Sequence, residues 1–208
     1  MSILNKYFDK IYYINLERRK DRNQECIDEL KKYNIIAERF NAINGESIIK
    51  SNWVHSLGAI GCLESHLQII KNAKENKYNN ILILEDDVIF DDNIEGIFEN
   101  YYKQLDKNWD ILYLSGNHNQ HEGNLLNMVS DNIIKCYLTY TTHSYAVKSS
   151  IYDIIIDKLS NAVNPVDVEY TKIQKISNCY AFYPGISSQR VGYSDIINND
   201  VNYKIIIK

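Results

Sequence analysis

Long apolar runs, closely spaced cysteines and proline-rich breaks are all missing from this 208-residue chain. No window approaches the roughly 20 apolar residues needed to cross a bilayer, so no transmembrane segment is expected. The N-terminal MSILNKYFDK has no long apolar core and no small-residue cleavage site. No signal peptide is expected there, and the chain reads as a cytoplasmic protein whose membrane association, if any, is peripheral. A net charge of −4 with scattered basic residues excludes a nucleic-acid surface, since phosphate binding needs concentrated Lys and Arg. The one dense cluster, Arg18, Arg19, Lys20 and Arg22, is too short for a duplex. Cys26, Cys62, Cys136 and Cys179 lie far apart, without the spacing of a zinc half-site, so no structural zinc is expected. Each sits in an apolar or periodic run and reads as a free thiol. With two prolines, no repeat and no long linker, one domain is expected. The 45% hydrophobic and 24% charged residues suit a single core. A surplus of Ile, Asn, Lys and Tyr is a bias of composition and says little about function.

What is present is an alternation of element types. KIYYINL (10–16) is an apolar, β-rich run and predicts a core strand. Cys26, Ile27, Leu30 and Tyr33 then recur at helical spacing. IIAERF (35–40) predicts a second strand and the residues around Gly45 a turn. A helix is expected over 63–77, with Leu63, Leu67, Ile70 and Lys74 on one face, followed by the strand ILIL. Strand, helix, strand, helix, strand is the order of an α/β fold with a mostly parallel sheet flanked by helices. Further strands fit 109–115, 133–140, 144–148 and 179–183. A short helix fits 151–159, with the serines of KSS as caps. The polar stretch 116–127 reads as a mobile loop, with His118 and His121 exposed in it.

The informative stretch is ILILEDDVIF (81–90). Glu85, Asp86 and Asp87 repel one another and lose hydration where a strand ends inside a protein. A divalent cation would offset that cost, and Mn²⁺ or Mg²⁺ suits carboxylate oxygens. Ligands of open α/β sheets gather at the carboxyl ends of strands, where these acids stand. If the chain stays extended, Glu85 and Asp87 point together and Asp86 points away. The competing reading is a solvated turn or helix cap, against which stands the return to apolar residues in VIF. A receiver domain also gathers acids around Mg²⁺, but its acid pair follows the first strand, and here that strand ends in INLERRKDR.

YYINLERRKDR, GAIGCLESH and ILILEDDVIF, in that order, resemble glycosyltransferase family 25: the lipopolysaccharide-type β-galactosyltransferases and their collagen-glycosylating relatives. THSYAVKSSIYDIII, NPVDVEY and PGISSQRVGYSDI extend the resemblance over about residues 8–197. It implies a GT-A fold, with a Rossmann-like nucleotide-sugar half at about 8–115, an acceptor half at about 116–197 and a short tail. It implies an inverting transferase that moves a hexose, galactose or glucose, from a UDP-sugar to a glycan or hydroxylysine acceptor. The acids stand where such enzymes carry an aspartate-x-aspartate metal motif, so Glu85 and Asp87 are the implied ligands of Mn²⁺ or Mg²⁺. Asp195 is the implied third ligand. Asp167, or Glu169 two residues on, is the implied base; helix capping by Asp167 is the competing reading. Asn15, Leu16, Arg18, Arg22, Ser65, His66, Glu85 and Asp86 are the implied nucleotide-sugar contacts. Arg22 has a second reading as cover for the first helix, and His66 as a packed helical histidine. Gly58 and Gly61 would allow close backbone approach. A module that binds the sugar nucleotide or glycan without catalysis, and a sugar-nucleotide hydrolase or phosphodiesterase, are the competing functions.

Overall fold

The computed structural model describes residues 1–118, 126–197 and 199–201. A short helix, α1 (Ile3–Tyr7), leads into β1 (Lys10–Asn15), which is buried along its length as an unbroken apolar run requires of an inner strand. Helix α2 (Lys20–Lys32) buries Cys26 and Leu30, and β2 (Glu38–Asn41) returns parallel to β1. Then come α3 (Leu57–Glu75), β3 (Asn80–Glu85), β4 (Val88–Phe90), α4 (Ile94–Tyr102) and β5 (Ile111–Tyr113). The next strands are β6 (Asn117–His118), β7 (Met128–Ser130), β8 (Ile133–Lys135), β9 (Thr139–Tyr140) and β10 (Ser144–Lys148). Helices α5 (Tyr152–Ser160) and α6 (Val166–Gln174) precede β11 (Cys179–Phe182), β12 (Ser187–Gln189), β13 (Gly192–Ser194) and β14 (Asn199–Val201).

The central sheet has eight strands in the order β2-β1-β3-β10-β5-β11-β8-β7. β10 and β8 run against the other six, so the expected α/β sheet is mixed but mostly parallel. Alternation along each strand feeds two apolar layers. Tyr12, Ile83, Tyr113, Tyr145 and Ala181 face α3, α5 and α6. Tyr13, Leu82, Leu112, Ala146 and Phe182 face α1, α2 and α4. The sheet runs unbroken through both stretches read as donor and acceptor halves.

Several boundaries move for physical reasons. The run 133–140 divides into β8 and β9: β8 pairs with β11, while β9 leaves to pair with β6. The serines after β10 do not cap α5; Ser150 Oγ donates to Asp110 instead, 2.7 Å away. Lys74, placed on the buried face of α3, points outward and ion-pairs with Asp153. His118 is not exposed: it is half-buried, its Nδ1 stands 2.9 Å from Thr139 Oγ1, and burial pushes its pKa down to about 4. His121, most of the predicted mobile loop and the terminal YKIIIK lie outside the described residues.

The largest change is the start of α3, six residues earlier than periodicity suggests. Ser56 caps it, accepting a hydrogen bond from the Ala59 N–H. Gly58 and Gly61, which precede the helix expected over 63–77, lie inside it, with neighbouring backbone pressed close against them. A Cβ on Gly61 would stand 2.4 Å from the Ile43 carbonyl oxygen, and one on Gly58 2.3 Å from that of Asp195. The close approach expected of these glycines is thus made by the protein's own chain. Gly61→Ala is expected to cost about 1–3 kcal/mol, because a backbone carbonyl cannot rotate aside as a side chain does. Gly96→Ala in α4 meets only the Asn93 side chain and should be neutral or stabilising by up to about 1 kcal/mol. Urea unfolding of the two variants checks this opposition of sign.

Candidate active site

β1 and β3 are adjacent and parallel, with Ile14 opposite Glu85, so their carboxyl ends open at one place. There a cleft of about 570 Å³ is walled by the N-terminal half of α3, the loop 42–46, Thr141 and Thr142, the start of α6, and residues 194–197. The volume suits a nucleotide-sized ligand. Leu16, Arg18, Arg22, Ser65, His66, Glu85, Asp86, Asp87, Asp167 and Asp195 all line it. Residues up to 183 positions apart in sequence, Ile14 and Ile197, therefore meet in one place.

The three acids do not continue an extended strand. β3 ends at Glu85, residues 86 and 87 form a turn, and β4 begins at Val88. Asp86 and Asp87 consequently face the same guanidinium: Arg22 Nη2 stands 2.7 Å from Asp86 Oδ1 and 2.7 Å from Asp87 Oδ2. Glu85 turns to other partners, accepting from Thr142 Oγ1 at 2.8 Å, with His66 Nε2 3.5 Å from its Oε1. The extended pairing of Glu85 with Asp87 is thus replaced by an Asp86–Arg22–Asp87 group. β12 braces the turn, with the Arg190 N–H donating to the Asp87 carbonyl at 2.7 Å and Gln189 Nε2 3.4 Å from Asp87 Oδ2.

One guanidinium does not neutralise the cleft. Glu46, Glu85, Asp86, Asp87, Asp167 and Asp195 line it against Arg18 and Arg22. Burial and the neighbouring Glu85 push the Asp87 carboxyl up to about 7, although Arg22 opposes them. Burial likewise raises Asp86. Burial works against ionised Glu85 too, but His66 and Thr142 hold its pKa below the ordinary value. Asp87 Oδ1 is buried and has no hydrogen-bond partner among the described residues. An unpaired carboxylate oxygen in an acid-rich cleft fits a hard divalent cation such as Mn²⁺ or Mg²⁺.

A stability consequence follows in metal-free protein. Folded Asp87 holds its proton up to about pH 7, whereas the unfolded carboxyl releases it near 3.8. The group's contribution is complete below the unfolded value and is lost as pH rises toward 7, because the native state then binds the extra proton. Asp87→Asn should remove this dependence and raise stability at pH 8 by an amount on the order of a few kcal/mol. Thermal melts of both proteins in EDTA between pH 5 and 8 read it.

Other expected contacts have different work. Asn15 is 1% exposed and reaches no ligand space. Its Nδ2 donates to Asp86 Oδ2 at 2.7 Å and to the Arg19 carbonyl, and its Oδ1 accepts from Arg39. It positions Asp86. Ser65 donates to the Gly61 carbonyl and accepts from the Ile43 N–H, pinning the loop 42–46 to α3. His66 is fully buried, with Nδ1 2.8 Å from Tyr145 Oη. Asp195, the implied third metal ligand, has both oxygens taken: Arg18 Nη2 is 2.8 Å from Oδ1 and Arg19 Nη1 2.5 Å from Oδ2. In the structure those two arginines are its partners, at the rim of the same cleft.

Asp167 and Glu169 separate cleanly. Two residues of α-helix turn the side chain through about 200°. Asp167, in the first turn of α6, faces the cleft; its Oδ1 accepts from the Val168 N–H at 2.9 Å, and burial raises its pKa. Glu169 is 3% exposed and points away, held by Asn164 and by Lys172 at 2.7 Å. The geometry removes it as a base. The helix begins at Val166, so Asp167 is not its cap. Thr142, Cys62 and Gln189 were not singled out for any role, although all three lie in or beside the motifs. Thr141 is held at φ 72°, a conformation uncommon for a β-branched residue, at the cleft wall.

The family model for Glycosyltransferase family 25 (LPS biosynthesis protein) matches residues 8–164. The chain belongs to this family. Mouse procollagen galactosyltransferase 2 is 26% identical to it over 176 residues, covering 71% of this chain and 28% of that protein. Human inactive glycosyltransferase 25 family member 3 is 27% identical over 128 residues, covering 51% of this chain and 22% of that protein. This family 25 chain therefore spans less than a third of the length of either relative. Among solved structures, a glycosyltransferase involved in the glycosylation of the major capsid of PBCV-1 is similar, at 11% identity and a TM-score of 0.45, covering 73% of this chain and 64% of that one. No helix among the described residues is long and apolar enough to cross a membrane.

Proposed function

We propose that the protein is an inverting, metal-dependent glycosyltransferase, moving galactose or glucose from a UDP-sugar to a hydroxyl of a glycan or hydroxylysine acceptor. The observation that carries this reading is the unpartnered Asp87 Oδ1 in a cleft whose acids outnumber its bases. A dianionic diphosphate would be repelled there without a cation. Asp87 is the residue that would hold Mn²⁺ or Mg²⁺, and the ion would supply Lewis-acid stabilisation of the charge growing on the diphosphate. Arg22 keeps Asp86 and Asp87 together, and Asn15 orients Asp86.

Asp167 is the base in this reading. It enters the cleft from α6, on the acceptor side, while the metal acids enter from β3. Its raised pKa brings it nearer the working pH than an ordinary aspartate, as a general base requires. The donor half covers about residues 8–115 and the acceptor half about 116–197. Procollagen galactosyltransferase 2 points to galactose and a collagen-type acceptor, and the family description to lipopolysaccharide.

UDP release from a panel of UDP-sugars with Mn²⁺ tests the proposal. One sugar should be turned over, with EDTA abolishing the signal. A second reading, a sugar-nucleotide-binding module without catalysis, is favoured by the similarity to a family member named inactive. Saturable UDP-sugar binding without UDP release would establish it instead.

A further inference from the structure

Cys62 and His66 lie one turn apart on α3 and face the end of β3. Each of Cys62, His66 and Glu85 offers a ligand atom, and these atoms all lie within 4.8 Å of one another. His66 Nε2 is fully buried, has no hydrogen-bond partner among the described residues and points at Glu85 Oε1. Their separation of 3.5 Å is too long for a good hydrogen bond. It matches the edge of a tetrahedral zinc site, about 3.4 Å for nitrogen and oxygen ligands some 2.0–2.1 Å from the metal. The other ring nitrogen is already oriented. Nδ1 stands 2.8 Å from Tyr145 Oη, which in turn lies 3.1 Å from Tyr170 Oη. When Nδ1–H donates to Tyr145, Nε2 is left with its lone pair toward the site, the arrangement a ligating histidine requires. Thr142 does the same for Glu85, donating to it at 2.8 Å.

We propose that Cys62, His66 and Glu85 form a second cation site, selective for a borderline divalent ion of the zinc type and distinct from the site at Asp87. The donor sets differ in kind. Thiolate with imidazole favours Zn²⁺ over Mn²⁺ or Mg²⁺, whereas Asp87 offers only carboxylate oxygen. Cys62 loses its thiol proton to solvent as the sulfur–metal bond forms. All three ligands line the cleft, so the fourth coordination position opens into it. The inference stands apart from the transferase reading, and its readouts do not involve a nucleotide sugar.

The test titrates the 208-residue chain, stripped with chelator, with Zn²⁺ and separately with Co²⁺. The expected result is one Zn²⁺ per chain, undisplaced by a hundredfold excess of Mg²⁺, together with a near-ultraviolet thiolate-to-cobalt band. Both should persist in Asp87→Ala and be lost in Cys62→Ser. Alkylation of unmodified protein, mapped by mass spectrometry, gives a reading that needs no variant: Zn²⁺ should protect Cys62 at least tenfold. Cys26, Cys136 and Cys179 are each 0% exposed and serve as internal references. Absence of stoichiometric Zn²⁺, a cobalt spectrum lacking the thiolate band, a band that survives Cys62→Ser, or unprotected Cys62 would each overturn the proposal.

Discussion

Asp87→Ala is expected to lower UDP release from the preferred UDP-sugar by about 10²–10³-fold or more, a loss typical of removing one preorganised charge-stabilising group. Among the described residues Asp87 Oδ1 is buried without a partner, so a cation bound there would offset the cost of holding that oxygen out of water. Under the proposed reading, truncation removes the oxygen that would hold the cation. It also frees Arg22 from one of its two carboxylates, leaving Asp86 as the partner. Folding should survive, because the deleted group is the one burial and Glu85 most disfavour in its charged form. The measurement is UDP release across a Mn²⁺ titration, with the melting temperature recorded in parallel. A variant that keeps wild-type turnover in Mn²⁺ would remove Asp87 from the metal site. A variant that is merely unstable would show its loss in the melt.

Asp167→Asn is expected to reduce acceptor-dependent transfer by about 10²–10⁴-fold, the range of general-base catalysis, with little change in donor affinity. Asparagine keeps the size of the side chain and its acceptor for the Val168 N–H, so α6 should hold its place. It cannot take a proton. The pH dependence has a definite sign. As the proposed base, Asp167 would work only when ionised, so transfer should rise with pH through its pKa. Because burial raises that pKa, the acidic limb should lie above the pH at which an ordinary aspartate ionises. Glu169→Gln is the control: its carboxylate is bound to Asn164 and Lys172 outside the cleft. It should lose some stability and keep transfer. If both variants transfer at the wild-type rate, the base lies elsewhere.

The site was legible where it depends on local pattern. A strand that runs into three acids and then returns to apolar residues is visible as EDD between ILIL and VIF, and the structure places it at a strand's carboxyl end, in a cleft. What escaped was the direction of each acid. The extended reading paired Glu85 with Asp87, but the tight turn to β4 brings Asp86 and Asp87 to one arginine instead. Asn15 and Asp195 were likewise read as ligand contacts because of the strand end and motif they occupy. Their atoms are consumed by protein partners up to 177 residues away, which no local pattern records.

The sequence by itself determined the kinds of elements and their order, the apolar faces of the strands, the free state of the thiols and the concentration of acids at one strand end. These follow from periodicity, from spacing and from the desolvation cost of charge, all of which act over a few residues. The tertiary structure alone decided where α3 begins, since Gly58 and Gly61 fall before the periodic stretch from Leu63 and are packed by the carbonyls of Ile43 and Asp195. It alone separated Asp167 from Glu169, and it alone brought Cys62 and His66 to Glu85. Those outcomes rest on contacts between segments far apart in the chain, and such contacts exist only once the sheet has closed and set the distances between them.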